Sequence, residues 1–134
     1  MVKVLEFSVR ANASEPFARV RNVVEQALGL TFEEGEFEDV PALVANSLGM
    51  HIGLFKWGEF YLLESRIDDV RFLEAAERKP LEVVRVSEAF ADMLTTLGPV
   101  RWRVATEADL IEDRAYGDEL DRQIADDEGA PPWA

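Results

Sequence analysis

The chain holds 134 residues, with 14 Lys and Arg against 27 Asp and Glu, one His and no Cys, for a formal net charge of −13. That length suits one domain burying about two thirds of its unfolded surface without a metal or disulfide, and 48% apolar residues with 8 Phe, 3 Trp and 2 Tyr exclude a disordered acidic polymer. The missing thiols remove disulfides, thiolate nucleophiles and Cys-based zinc sites together, and the acid excess disfavours binding to nucleic acid or an anionic membrane surface.

Alternation from Val2 to Arg10 predicts a first strand over residues 2–10, with one apolar and one mixed face. Ser14 then offers an N-cap, followed by Glu15 and Pro16 in a first turn. Phe17, Val20, Val23, Val24, Ala27 and Leu28 continue at helical spacing until Gly29, predicting a helix over residues 14–28. Leu30, Phe32 and Phe37 suggest a short extended piece through an acidic run. Asp39 and Pro41 open a second predicted helix that ends near Leu48-Gly49, with Val40, Leu43, Val44 and Leu48 as its apolar positions. Next come Ile52, Leu54 and Phe55, the turn Lys56-Trp57-Gly58-Glu59, and Phe60 to Leu63. Two aromatic-rich runs about a glycine predict a β-hairpin.

Asp68 or Asp69 caps a helix through Val70, Phe72, Leu73 and Ala76 that breaks at Pro80, or else that run extends the preceding strand. Leu81, Val83, Val84 and Val86 read as a strand. Ser87 caps a helix carrying Phe90, Ala91, Met93 and Leu94, closed by Leu97-Gly98-Pro99. Val100, Trp102 and Val104 alternate with Arg101 and Arg103 as a last strand, its arginines read as partners for nearby Glu. Thr106 with Asp109 resembles a capping box and starts a helix reaching about residue 125.

Residues 1–125 thus read as a single α+β domain, with a mixed or antiparallel sheet, a central hairpin and helices packed mainly on one face. Residues 126–134 read as an acidic, flexible tail, in which Trp133 either docks back or hangs loose. No apolar run approaches the roughly 18 to 20 residues of a membrane span, and Met1 to Glu6 meets an acid too early for a signal peptide. The expectation is a soluble, cytoplasmic protein.

Little in the sequence announces catalysis. His51 is the sole imidazole and reads as a half-exposed strand residue. Ser8, Ser14, Ser47, Ser65 and Ser87 could join it on paper, but no serine lies in a Gly-x-Ser-x-Gly elbow. Neither a P-loop nor a dinucleotide fingerprint occurs. Glu33-Glu34-Gly35-Glu36-Phe37-Glu38-Asp39 has carboxylates about a glycine but not the spacing of a calcium loop. No metal and no cofactor are expected.

The acids are unevenly spread. Residues 106–134 set Arg114 and Arg122 against ten acids, net −8, and the preceding 105 residues carry net −5. The densest patch is Glu33, Glu34, Glu36, Glu38 and Asp39, five carboxylates in seven residues. Such a patch speeds encounter with a basic protein, and aromatics at a hairpin tip, Trp57 and Tyr61 here, suit anchoring an interface or else cover one edge of the core. These seven residues are the candidate partner-binding set, and the candidate partner is a basic protein rather than nucleic acid or a membrane.

In length, charge, acid clusters and α+β layout the chain resembles the small acidic immunity proteins that bacteria make beside polymorphic or contact-dependent toxins. The resemblance implies a non-enzymatic inhibitor that binds a basic, nuclease-like toxin, with carboxylates standing where nucleic-acid phosphates would lie. The alternative is a small-ligand or regulatory module, in which the helix over residues 14–28 and the sheet enclose an apolar pocket.

Overall fold

The computed structural model describes residues 2–47, 50–67 and 81–126. The helix expected after Asp68 or Asp69 and the segment beyond Asp126, Trp133 included, lie outside them. The chain divides into two units, residues 1–104 and 105–134, and the first holds the whole of both sheets.

Two strands, β1 (Val2–Glu6) and β2 (Ser8–Asn12), replace the single strand expected over residues 2–10. The division falls at Phe7, a buried ring whose N–H donates to the Ser65 hydroxyl at 3.0 Å and whose carbonyl accepts from the Ser65 N–H at 3.0 Å. Sequence alternation runs straight through this point, and gives no sign of the division. Helix α1 (Phe17–Leu28) starts later than expected. The Pro16 carbonyl, not Ser14, receives its first amides, from Arg19 and Val20, and the Ser14 hydroxyl instead donates to the Asn12 carbonyl. Its end is as expected. Gly29 takes the left-handed φ of 65° that lets its N–H and that of Leu30 reach back to the Glu25 carbonyl.

Strand β3 (Glu33–Phe37) realises the extended piece through the acidic run. The helix expected from Asp39 and Pro41 to Leu48-Gly49 is instead strand β4 (Val40–Ser47), paired antiparallel with β3. Glu38 and Asp39 form the turn between them with φ of 49° and 66°, the positive values a two-residue primed hairpin turn requires. Both faces of β4 are covered: Val40, Ala42 and Val44 pack on one side, Leu43 and Ala45 on the other. A strand apolar on both faces loses its period of two, so its spacing imitates a helix.

The central hairpin forms as predicted, from β5 (Met50–Trp57) and β6 (Phe60–Ile67) about Gly58 with φ of 61°. Strand β7 (Leu81–Arg85) pairs in parallel with β1. Helix α2 (Ser87–Leu97) follows it, with Val86 rather than Ser87 at the cap position. The Ser87 hydroxyl accepts the N–H of Ser8 at 3.0 Å, tying the helix start to β2. Past Gly98 and the cis Gly98–Pro99 bond, the last strand β8 is only Trp102–Arg103, bonded to β2.

The main sheet is open and antiparallel, in the order β3-β4-β5-β6-β2-β8, beside the small parallel β1-β7 pair. Val20 and Val24 of α1 and Ala91 and Leu94 of α2 pack with Val9, Ala11, Leu43, Ile52, Leu54, Tyr61 and Leu63 on one face of it. The α+β class is therefore the observed one, with α1 and α2 on one face of the sheet. The second unit contains helix α3 (Glu107–Asp126). Its capping box is complete: Asp109 accepts from the Thr106 N–H at 2.7 Å and hydroxyl at 2.9 Å, and its own N–H donates to the Thr106 hydroxyl at 3.2 Å.

Candidate partner-binding surface

Among the described residues β3 is an edge strand, bonded to β4 alone. Glu33, Glu34, Glu36, Glu38 and Asp39 are all exposed along this edge and its turn. The pairing register alternates them. Glu34 and Glu36 stand on the helix-covered face with Leu43, while Glu33 stands on the opposite face with Val44. Among the described residues only Glu38 of these has an ion-pair partner, Arg66 at 3.5 Å, and that pair is exposed at both ends. Exposed pairs of this kind are screened and contribute little, so the edge keeps most of its negative field.

Behind the edge lies a layer of stacked rings on the face opposite the helices. Phe37, 1% exposed, stacks on His51 at 5.5 Å and on Phe55 at 5.8 Å, with the Arg66 guanidinium 5.9 Å from its ring centre. Gly53 makes the layer possible, since a Cβ there would meet the Phe37 ring at 2.5 Å. Gly35 plays the same part beneath Val44, whose side chain would sit 2.7 Å from an added Cβ. The patch is thus held on a preformed support.

His51 belongs to this support. Its Nε2 faces the Glu36 carbonyl at 3.1 Å and its Nδ1 faces the Asn46 amide at 2.9 Å. A carbonyl only accepts, so Nε2 carries a proton, and the Asn46 amide, which presents either oxygen or nitrogen by a flip, matches whatever Nδ1 needs. The serines that could have joined it are elsewhere: the Ser65 and Ser87 hydroxyls hold the Phe7 and Ser8 amides. Among the described residues no group of three His, Asp or Glu converges as a metal site, and no helix is long and apolar enough to cross a membrane.

The two aromatic anchors separate. Trp57 pairs with Phe60 on the ring-bearing face and is half-buried there. Tyr61 points to the helix-covered face, is 6% exposed, donates its hydroxyl to the Glu15 carbonyl at 2.7 Å and packs at a tilt against the Phe17 ring, 5.2 Å between centroids. The register, in which Lys56 faces Tyr61 and Trp57 faces Phe60, puts them on opposite sides. Sequence reading also passed over Arg10, buried to 3% exposure, whose guanidinium lies 5.2 Å from the Phe60 ring, with that of Arg103 at 5.3 Å from the same ring. An Arg amid alternating residues gives no sign that it will be buried. Comparison with protein-family models, with curated proteins and with solved structures found no match.

Proposed function

We propose that this chain is an acidic protein-binding domain whose β3 edge receives a basic segment of a partner protein, in the manner of an immunity protein that neutralises a basic, nuclease-like toxin. The observation that carries this reading is the coincidence of an open strand edge with four exposed carboxylates, at Glu33, Glu34, Glu36 and Asp39, that have no ion-pair partner among the described residues. An open edge offers backbone groups for strand addition. Its charge selects the adding strand. A second copy of β3 would set Glu against Glu, whereas a Lys- or Arg-rich strand would find opposite charges across from it. The neighbouring surface adds Trp57, half-buried and ready to lose its remaining exposed area. The stacked support beneath Phe37 holds the edge in shape before encounter, which lowers the ordering cost of association.

The test is affinity capture at low and high salt, followed by stopped-flow association with the captured protein. A basic partner retained in near-equal amount should be released as the Debye length shrinks to about 8 Å and below. Reversing Glu33, Glu34 and Glu36 to Lys should lower the association rate by about tenfold or more while leaving the unfolding midpoint nearly unchanged. An association rate indifferent to both salt and charge reversal would rule out this edge as the binding surface.

A further inference from the structure

A separate feature stands on the helix-covered face. The ladder between β4 and β5 pairs Leu43 to Ser47 with Leu54 to Met50 and goes no further. Pro41 has no N–H with which to extend it. On the helix-covered face here lies a cavity of about 370 Å³ lined by Phe17, Glu34, Pro41, Leu43, Leu54 and Lys56, among others. This volume lies within the range of small-molecule sites. Pro41 and the edge of Leu43, above the fully buried Leu54, form an apolar floor, and the Phe17 ring, tilted against Tyr61, forms a wall.

The rim is unusual in its charges. Glu34 is in register with Leu43 and Leu54, and Lys56 follows Leu54 by two residues, so both project from the same face of the sheet. They stand on β3 and β5, two strand spacings or roughly 10 Å apart. Neither forms an ion pair among the described residues, although both line one cavity. An apolar floor between an unpaired carboxylate and an unpaired ammonium complements a ligand with an apolar body and both charges of its own.

The charge of the whole chain narrows the class further. At −13 the protein repels a simple carboxylate at long range, and a simple cation would leave Lys56 opposed rather than used. A zwitterion carries no net charge and satisfies both rim groups. We propose that this cavity binds a free amino acid with a large apolar side chain, its α-carboxylate on Lys56, its α-ammonium on Glu34 and its side chain against Phe17, Pro41 and Leu43. The site does not depend on the partner reading above.

The test is calorimetric titration of the full chain with L-phenylalanine, with N-acetylphenylalanine, which lacks the ammonium, and with phenylalaninamide, which lacks the carboxylate. L-phenylalanine should bind saturably and each analogue about tenfold more weakly or worse, as expected for losing one hydrogen bond to a charged group. Lys56→Gln should weaken L-phenylalanine by a similar factor without changing phenylalaninamide. Glu34→Gln should weaken L-phenylalanine without changing N-acetylphenylalanine. Both positions are exposed, so neither change disturbs the core. Absence of saturable binding up to the solubility limit, analogues binding as well as L-phenylalanine, or variants indistinguishable from wild type would each overturn the proposal.

Discussion

The two faces of the main sheet are packed on different principles. One face is covered by α1 and α2, and its interior is the large aliphatic cluster of Val9, Leu43, Ile52, Leu54, Leu63, Val20, Val24 and Leu94. The other buries Phe37, Phe55 and Leu62, with the described strand residues Val40, Ala42, Val44, Trp57 and Phe60 around them and guanidinium groups over the rings. The first face gains stability from the apolar area removed from water. The second gains it from shape, since Phe37 lies flat only because Gly53 has no side chain. One sheet therefore holds a face tolerant of volume-conserving change and a face in which one methyl group is decisive. The candidate partner edge belongs to the second.

Substitutions can break this comparison. The largest effect is expected on the helix-covered face, where Leu54, 0% exposed, is the centre of the central hairpin's contribution. Leu54→Ala should lower stability by about 3 kcal/mol, read from the urea midpoint at constant m-value. A loss equal to that of a surface mutant would mean that this face is not the main core. On the ring-bearing face, Gly53→Ala should cost about 2 kcal/mol, because Phe37 must move from over the strand. Combining it with Phe37→Leu should give a loss smaller than the sum of the two singles by at least about 0.5 kcal/mol. Strict additivity would refute the close approach as the cause. The smallest effect is a gain. Asp39 holds a φ of 66°, so Asp39→Gly should raise stability by about 0.5 kcal/mol, the relief of left-handed strain less the added freedom of the unfolded chain. Destabilisation there would show that the Asp39 side chain does more than occupy the turn.

Legibility differed between the two hairpins for a physical reason. In β5–β6, Gly58 supplies a turn signal and aromatic runs flank it, so the hairpin was readable in one dimension. In β3–β4 the turn is Glu38-Asp39, without a glycine and with Glu38 a rare choice for positive φ, and β4 is apolar on both faces. Local spacing then favoured a helix that tertiary burial overrode. The hydroxyls show the same limit at closer range. Ser14 and Ser87 both look like helix caps in sequence, yet one donates to the Asn12 carbonyl and the other accepts the Ser8 amide from a strand 79 residues away. A capping residue is recognisable locally only when its partner is also local, as with Thr106 and Asp109.

The candidate site divides along the same line. That Glu33, Glu34, Glu36, Glu38 and Asp39 form a dense negative run is a property of composition, and sequence by itself determined it, together with the α+β class, the central hairpin and the glycine stops at Gly29 and Gly98. Only the tertiary structure decided that this run lies on a sheet edge, that Tyr61 faces inward while Trp57 does not, that Arg10 is buried over Phe60, and that Phe17, Pro41 and Leu43 meet around a cavity. The reason is range. Charge, period and turn chemistry act over a few residues and are written locally, whereas strand order and register arise from pairings between distant segments whose energies no single stretch of chain contains.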